Sequence, residues 1–389
     1  MSGIIRGLKN ESGNEGYRYP GEEYMRVMFD HTAFTRQSVG GITRYIASVA
    51  SQINNLSLAE ARVFAHLHFN EHLEELRSAG TVGRYIPRFR GADRLLPVIN
   101  EALHRRAASI FSPDILHETH YSGRSYPSGK HVPIVYTVHD LIPELFPAQF
   151  GHYSKFVDRR RKAFKSSAYF VCISHSTCKD FQRLFDIPDE RLTVIHHGGP
   201  TVVRQPLTER QSSVLLVGNR KGYKNFDVVL KAFASSETLR SNVLLSIFGG
   251  GELTNQERQQ IAASGIVRFE HLHGDDAALT AAYRKCGLFV YPSRYEGFGL
   301  PLLEAMAAGA PVVCARASCF PEIAGDAAEY FDPDQPEQLS SLIERLIADV
   351  QLTRQLTQAG YDRAATFTWQ RCAEQHVAFY ERILGSSHG

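Results

Sequence analysis

Glu296 and Glu304 stand eight residues apart and bracket Gly297-Phe298-Gly299-Leu300-Pro301. An apolar run, Leu288 to Tyr291, precedes them and reads as a buried strand. Pro301 to Ala308 reads as a helix, with Pro301 in the first turn and Gly309 at its stop. The two glycines let backbone N–H groups approach a ligand, and the helix N-terminus behind them favours an anion such as phosphate. A carboxylate repels phosphate, so Glu296 and Glu304 have other partners, such as sugar hydroxyls. The chemistry implied is recognition of a ligand that carries both phosphate and sugar.

Arg220 and Lys224 follow another strand end, Ser213 to Gly218, and could bring two positive charges to one diphosphate. A diphosphate leaving group gains negative charge as it departs, and preorganised cations lower that barrier. A solvated basic loop is the bland reading of the same residues. Gly40-Gly41 lies between a first strand, Met25 to Asp30, and a first helix, Ile42 to Leu56. It could admit phosphate or simply form a tight turn. His139 ends the β-branched run Ile134 to Val138. Ligands in open parallel sheets bind beyond such strand ends, but a structural histidine fits the position equally. Arg159-Arg160-Arg161-Lys162 sits on a helix near Lys155 to Lys165. It is either a solvated face or a docking surface for anionic lipid at the inner face of a membrane.

Positioning these groups takes two successive βαβ series. The first half supplies further strands at Ala61–His68, Ile115–Glu118, Tyr169–Ser174 and Thr193–His196, with residues 71–110 mostly helical. The second half supplies strands at Val243–Phe248 and Ile266–Glu270. It closes with helices at Pro336–Asp349, Gln351–Ala365 and Gln370–Leu384. The expected class is α/β, with two Rossmann-like doubly wound domains facing a cleft. Residues 1–24 read as a disordered leader. The remaining divisions are 25–200, 201–368 and a closing helix at 369–389, with a linker near Pro200 to Pro206.

Composition narrows the classes. The 389 residues carry a net charge of only +2, too mild for nucleic-acid binding. Residues 1–205 hold 26 Lys+Arg against 20 Asp+Glu, so the first half leans toward an anionic partner. The six cysteines form no CxxC pair and read as free thiols of a reducing compartment. No apolar run approaches the ~20 residues of a membrane span. The expected location is cytoplasmic, with peripheral membrane association open. There is no zinc spacing, HExxH or GxSxG, and Asp332-Pro333-Asp334 reads as a turn after Tyr330-Phe331, so neither metal nor cofactor is expected.

Glu296-Gly297-Phe298-Gly299-Leu300-Pro301-x-x-Glu304 resembles the E-x7-E signature of retaining family 4 glycosyltransferases with the GT-B fold. Gly218-Asn219-Arg220 through Lys224 is similar to that family's diphosphate-binding pair, in a shortened loop. Phe29-Asp30, Gly40-Gly41-Ile42-x-Arg44-Tyr45 and Val138-His139-Asp140-Leu141-Ile142-Pro143 resemble a bacterial subgroup that includes mannosyltransferases of O-antigen and exopolysaccharide assembly. The resemblance covers nearly the whole chain from Met25. It implies that Arg220 and Lys224 hold the diphosphate, Glu296 contacts the donor hexose, Gly297 to Leu300 cradle it, and Glu304 binds ribose. It further implies that Gly41 admits the donor phosphates, that His139 lies beside the donor sugar, and that the last helix crosses back to the first domain. The expected donor is GDP-mannose and the expected acceptor a lipid-linked or growing surface saccharide. A UDP-sugar donor and a non-catalytic sugar-nucleotide-binding subunit are the alternatives. Cys319-Phe320-Pro321-Glu322 departs from the Ser-Leu-Pro-Glu common in relatives.

Overall fold

The structure, a computed structural model, describes residues 24–76, 80–121, 132–149, 154–166, 168–204 and 210–386. Residues 1–23 of the expected leader and part of the expected linker lie outside these. Strands β1 (Arg26–Phe29), β2 (Glu60–His68), β3 (Thr81–Tyr85), β4 (Ile115–Glu118), β5 (Ile134–Val138), β6 (Tyr169–Cys172) and β7 (Leu192–Val194) form one parallel sheet, ordered β3-β2-β1-β4-β5-β6-β7. Strands β8 (Ser213–Val217), β9 (Leu244–Phe248), β10 (Phe269–Leu272), β11 (Leu288–Tyr291), β12 (Val312–Ala315) and β13 (Ala328–Phe331) form a second, ordered β10-β9-β8-β11-β12-β13. β11 and β12 are buried at every position, as strands covered on both faces must be.

In each sheet the strand order reverses once, beside β1 and β4 in the first and beside β8 and β11 in the second. Those reversals open crevices at the strand carboxyl ends. The loops carrying Gly40-Gly41, Arg220 to Lys224 and Glu296 to Leu300 all leave β1, β8 or β11, so the topology alone gathers them at crevices.

The closing helix Trp369–Ser386 packs into the first domain's core through Cys372, Val377, Phe379, Tyr380 and Ile383. Two buried polar bonds fix its register: Tyr45 Oη to His376 Nε2 at 2.6 Å, and Tyr380 Oη to His117 Nδ1 at 2.7 Å. Among the described residues no helix is long and apolar enough to cross a membrane.

Two expectations about elements need correction. Residues 71–110 are not mostly helical: a short helix, Glu71–Glu75, is followed by β3 before the long helix Ala92–Phe111 begins. β3 is an edge strand whose Gly83, Arg84 and Tyr85 are exposed, so it lacks the apolar alternation that betrays a half-buried strand. β13 also went unrecognised, because Ala328-Glu329-Tyr330-Phe331 is short and runs straight into the turn at Asp332 to Asp334.

Candidate active site

The glycine loop is clamped between the two domains. Gly299 has φ 89°, a left-handed conformation at the N-cap of the eight-residue helix Leu300–Ala307. Gly297 abuts the first domain so closely that a Cβ there would lie 1.7 Å from the His139 carbonyl oxygen. The Gly297 carbonyl accepts from Ser174 Oγ at 2.7 Å and Thr177 Oγ1 at 3.1 Å, both at the start of the helix His175–Phe185. The Phe298 side chain turns into the hinge, stacked on His197 with centroids 4.9 Å apart, and His197 in turn stacks on Tyr45 at 4.5 Å. Phe298 thus anchors the loop, and only its backbone is available to a ligand.

Lys224 ends a short turn, Gly222–Lys224, and its Nζ meets Glu296 Oε1 at 2.6 Å. Ser318 Oγ fixes the Glu296 backbone by donating to its carbonyl at 2.6 Å, and Cys319 Sγ points at the same oxygen from 3.3 Å. The departure at Cys319 therefore touches the backbone of a candidate site residue directly. Glu304, one helical turn on, faces a different space. This cavity of about 220 Å³ is also lined by Arg44, Pro200, Thr201, Asp276 and Tyr283. Burial pushes the Glu304 carboxyl upward, and the Arg44 guanidinium from the opposite domain opposes that shift. Arg44 also pairs with Asp276 at 2.6 Å, tying the rim of the cavity across the cleft.

Arg220 is engaged within its own domain. Its guanidinium is buried. Nε donates to Glu257 Oε1 at 2.9 Å, Nη1 to the Gly249 carbonyl at 2.8 Å, and Nη2 to the Gly251 and Glu252 carbonyls at 3.1 and 3.2 Å. The loop after β9 exposes carbonyls at its glycines, and a rigid fork of donors satisfies them. Burial alone would raise the Glu257 pKa, but the bonds from Arg220 and Thr254 override it and bring it down to about 2.

On the first domain, His139 packs edge-on against Tyr45 at 5.2 Å. Burial lowers its pKa to about 4, against the pull of Asp140, so the ring is neutral near pH 7. Gly41 begins the helix Gly41–Asn55 and has open space where a side chain would be. Gly40 is extended, and a Cβ there would meet only the flexible end of Gln37.

The basic run 159–162 splits. Arg160 is 3% exposed and lies among the Tyr121, Phe156 and Phe164 rings. It donates to the Asp140 carbonyl at 2.5 Å and to Glu144 Oε2 at 3.0 Å, bracing the loop that carries His139. Arg160 is thus neither solvated nor free for lipid, while Arg159, Arg161 and Lys162 remain exposed. Helical spacing from Phe156 and to Phe164 placed Arg160 on the apolar stripe, a signal visible in the sequence.

Glu322 is a residue that motif reading undervalued. It extends from the second domain to accept from the His175 and Ser176 backbone N–H groups at 2.8 and 3.2 Å, and bonds His196 Nε2 at 2.6 Å. Burial would raise its pKa, but those three bonds hold it below the ordinary carboxylate range. Among the described residues, two groupings could present three ligand atoms to a metal: His175, His196 and Glu322, and Glu252, His271 and His273. In the first, the carboxylate already serves a helix N-terminus, whose partial positive charge opposes a cation.

Known proteins resemble this chain in sequence and in fold. The family "Glycosyl transferases group 1" matches residues 202–363, and "Glycosyltransferase Family 4" matches residues 39–201. The chain belongs to the family 4 glycosyltransferases and is a glycosyltransferase with two Rossmann-like domains. The O-antigen chain mannosyltransferase B of Escherichia coli is 28% identical over 64% of this chain and 70% of its own length. The MMP alpha-(1->4)-mannosyltransferase of Mycolicibacterium hassiacum is 29% identical over 59% of this chain and 57% of its own. The serotype-specific mannosyltransferase WbdA of Escherichia coli is 26% identical, with only 33% of its length matched. The chain therefore spans between a third and 70% of these relatives. WaaG, a glycosyltransferase involved in lipopolysaccharide biosynthesis, shares the fold with TM-score 0.67 and 18% identity, over 90% of this chain and 98% of its own. HepE of Anabaena, solved with UDP-glucose, also gives TM-score 0.67 at 18% identity, over 93% of this chain and all of its own.

Proposed function

We propose that the chain is a retaining hexosyltransferase that moves mannose from GDP-mannose to a lipid-linked or growing bacterial surface saccharide. The observation that carries this reading is the Lys224–Glu296 pair, 2.6 Å apart beside a glycine loop and a helix N-terminus. A donor entering there would place its diphosphate against Lys224 Nζ and the Gly297 to Leu300 backbone, and its hexose hydroxyls against Glu296. Glu304, in its separate cavity, would take the ribose, and Gly41 would let the first domain approach the phosphates. The neutral His139 would sit beside the hexose as a hydrogen-bond partner that adds no positive charge there. Retention would follow front-face attack, with the departing phosphate accepting the acceptor proton and Lys224 stabilising the growing charge. Arg220 would support the loop after β9 rather than hold phosphate. The mannosyltransferase relatives support the choice of sugar.

The test is a panel of nucleotide-sugars offered to the purified protein, with product anomers assigned by NMR. The expected result is turnover of GDP-mannose with retained configuration. Preference for a UDP-sugar would overturn the donor, and an inverted anomer would overturn the mechanism. Tight donor binding without hydrolysis or transfer to any acceptor would indicate the non-catalytic subunit instead.

A further inference from the structure

The helix Ala92–Phe111 is amphipathic in the wrong sense for a purely structural element. Its buried positions are Ala92, Leu96, Asn100 and His104, half of them polar. Its solvent side carries Leu95, Val98, Leu103 and Ile110, with Val98 67% and Ile110 76% exposed. Asn100 replaces apolar packing with hydrogen bonds to the Leu67 backbone, at 3.2 Å from its N–H and 2.8 Å to its carbonyl. Tyr85 and Phe89, just before the helix, are also exposed. Six of the thirteen exposed large apolar side chains among the described residues thus fall between residues 85 and 110.

The charge around this ridge is one-sided. Residues 81–111 contain Arg84, Arg88, Arg90, Arg94, Arg105 and Arg106 against Asp93 and Glu101 alone. At 100° per residue, Leu95, Val98, Leu103 and Ile110 fill one arc, with Arg94 and Arg105 along its edge. An aliphatic crest flanked by arginines, about 22 Å long from Leu95 to Ile110, is the pattern that seats a helix in the headgroup layer of an anionic membrane. A second copy on this face would bring two positive surfaces together. A nucleic acid would leave the aliphatic crest unused.

We propose that Ala92–Phe111, with the preceding residues from Arg84, is the surface by which the protein docks on anionic lipid. The face first suspected, around Arg159 to Lys162, has Arg160 turned inward and no exposed large apolar side chain among its described residues. The inner side of the docking helix reaches the loop that follows β1. His104 on its inner side lies 5.6 Å from His31, next to Asp30 at the end of β1. A membrane-borne acceptor would thus be held on the first-domain side of the cleft. This goes beyond the choice of donor, and its test uses neither donor nor acceptor, so either reading can fail alone.

The experiment is co-sedimentation of the full chain with phosphatidylcholine vesicles, with and without phosphatidylglycerol. The wild type should partition to the anionic vesicles and be released by salt. The double variant Val98→Ser, Ile110→Ser should weaken partitioning about tenfold or more. Arg94→Ala and Arg106→Ala should weaken it about fivefold each, and Arg159→Ala with Arg161→Ala should leave it unchanged. Circular dichroism and thermal melting establish that each variant folds. Three results would overturn the proposal: no preference for anionic vesicles, binding that follows Arg159 and Arg161 instead, or a wild-type dimer in light scattering that Val98→Ser dissolves.

Discussion

Arg220 and Lys224 leave the same loop four residues apart and do opposite work. Lys224 reaches the glycine loop and meets Glu296, with 21% and 12% of the two side chains exposed. Arg220 turns under the loop after β9 and fastens Glu257 and three carbonyls, with its side chain 5% exposed. Both are cations after a strand end, and both form ion pairs. In the proposed reading one pair faces the donor, while the other is framework beneath it. Sequence spacing alone assigned them a shared task. The direction of each side chain is set by the fold behind it: the exposed carbonyls of Gly249 to Glu252 draw in one cation, and Glu296 draws in the other.

Substitutions can break this contrast or sharpen it. The largest expected effect is on turnover. Lys224→Ala should lower it by about 10²-fold or more, with little change in melting temperature, because transition-state charge stabilisation is lost. A donor assay that finds near-wild-type turnover would remove Lys224 from the site. Gly297→Ala should have a comparable effect for a geometric reason. Its Cβ would collide with the His139 carbonyl and force the loop away from the first domain, and a misplacement of about 1 Å costs about 10²-fold. A crystal structure of that variant with an unmoved loop would refute the argument.

Arg220→Ala should act first on stability, lowering it by about 3 kcal/mol, because it removes four hydrogen bonds, to Glu257 and to three carbonyls, where Lys224 makes one. Calorimetry of the folded protein measures this directly. The smallest effect should come from Glu322→Gln, about 1 kcal/mol from a weakened contact across the domains. Its signature is pH dependence. The folded-state pKa of Glu322 is depressed, so its contribution is complete above the ordinary carboxylate pKa and is lost as pH falls through the depressed value. Melting temperature against pH should therefore fall less steeply in the Gln variant over that acid range. Parallel curves would contradict the role.

Much of the fold was legible because parallel strands buried on both faces give continuous apolar runs, as in Ile134 to Val138 and Leu288 to Tyr291. The candidate donor loop was legible because glycine, proline and carboxylate each carry a distinct physical instruction. β3 was not, because an exposed edge strand has little to bury. The inward turn of Arg160 was legible only through helical spacing, which a run of four basic residues masks. The role of Arg220 was illegible, since its carbonyl partners lie 29 to 32 residues away and declare themselves only once β8 and β9 pair. Glu322 was noted within its motif, but its partners at His175, Ser176 and His196 belong to the other domain.

The most direct test measures donor turnover and melting temperature side by side for Lys224→Ala and Arg220→Ala, with GDP-mannose as donor. The account predicts that Lys224→Ala loses turnover and keeps its melting temperature. It predicts that Arg220→Ala loses melting temperature and, assayed well below its own transition, keeps the larger share of turnover. The reverse pattern, a stable Arg220→Ala protein without turnover beside an active Lys224→Ala protein, would contradict it.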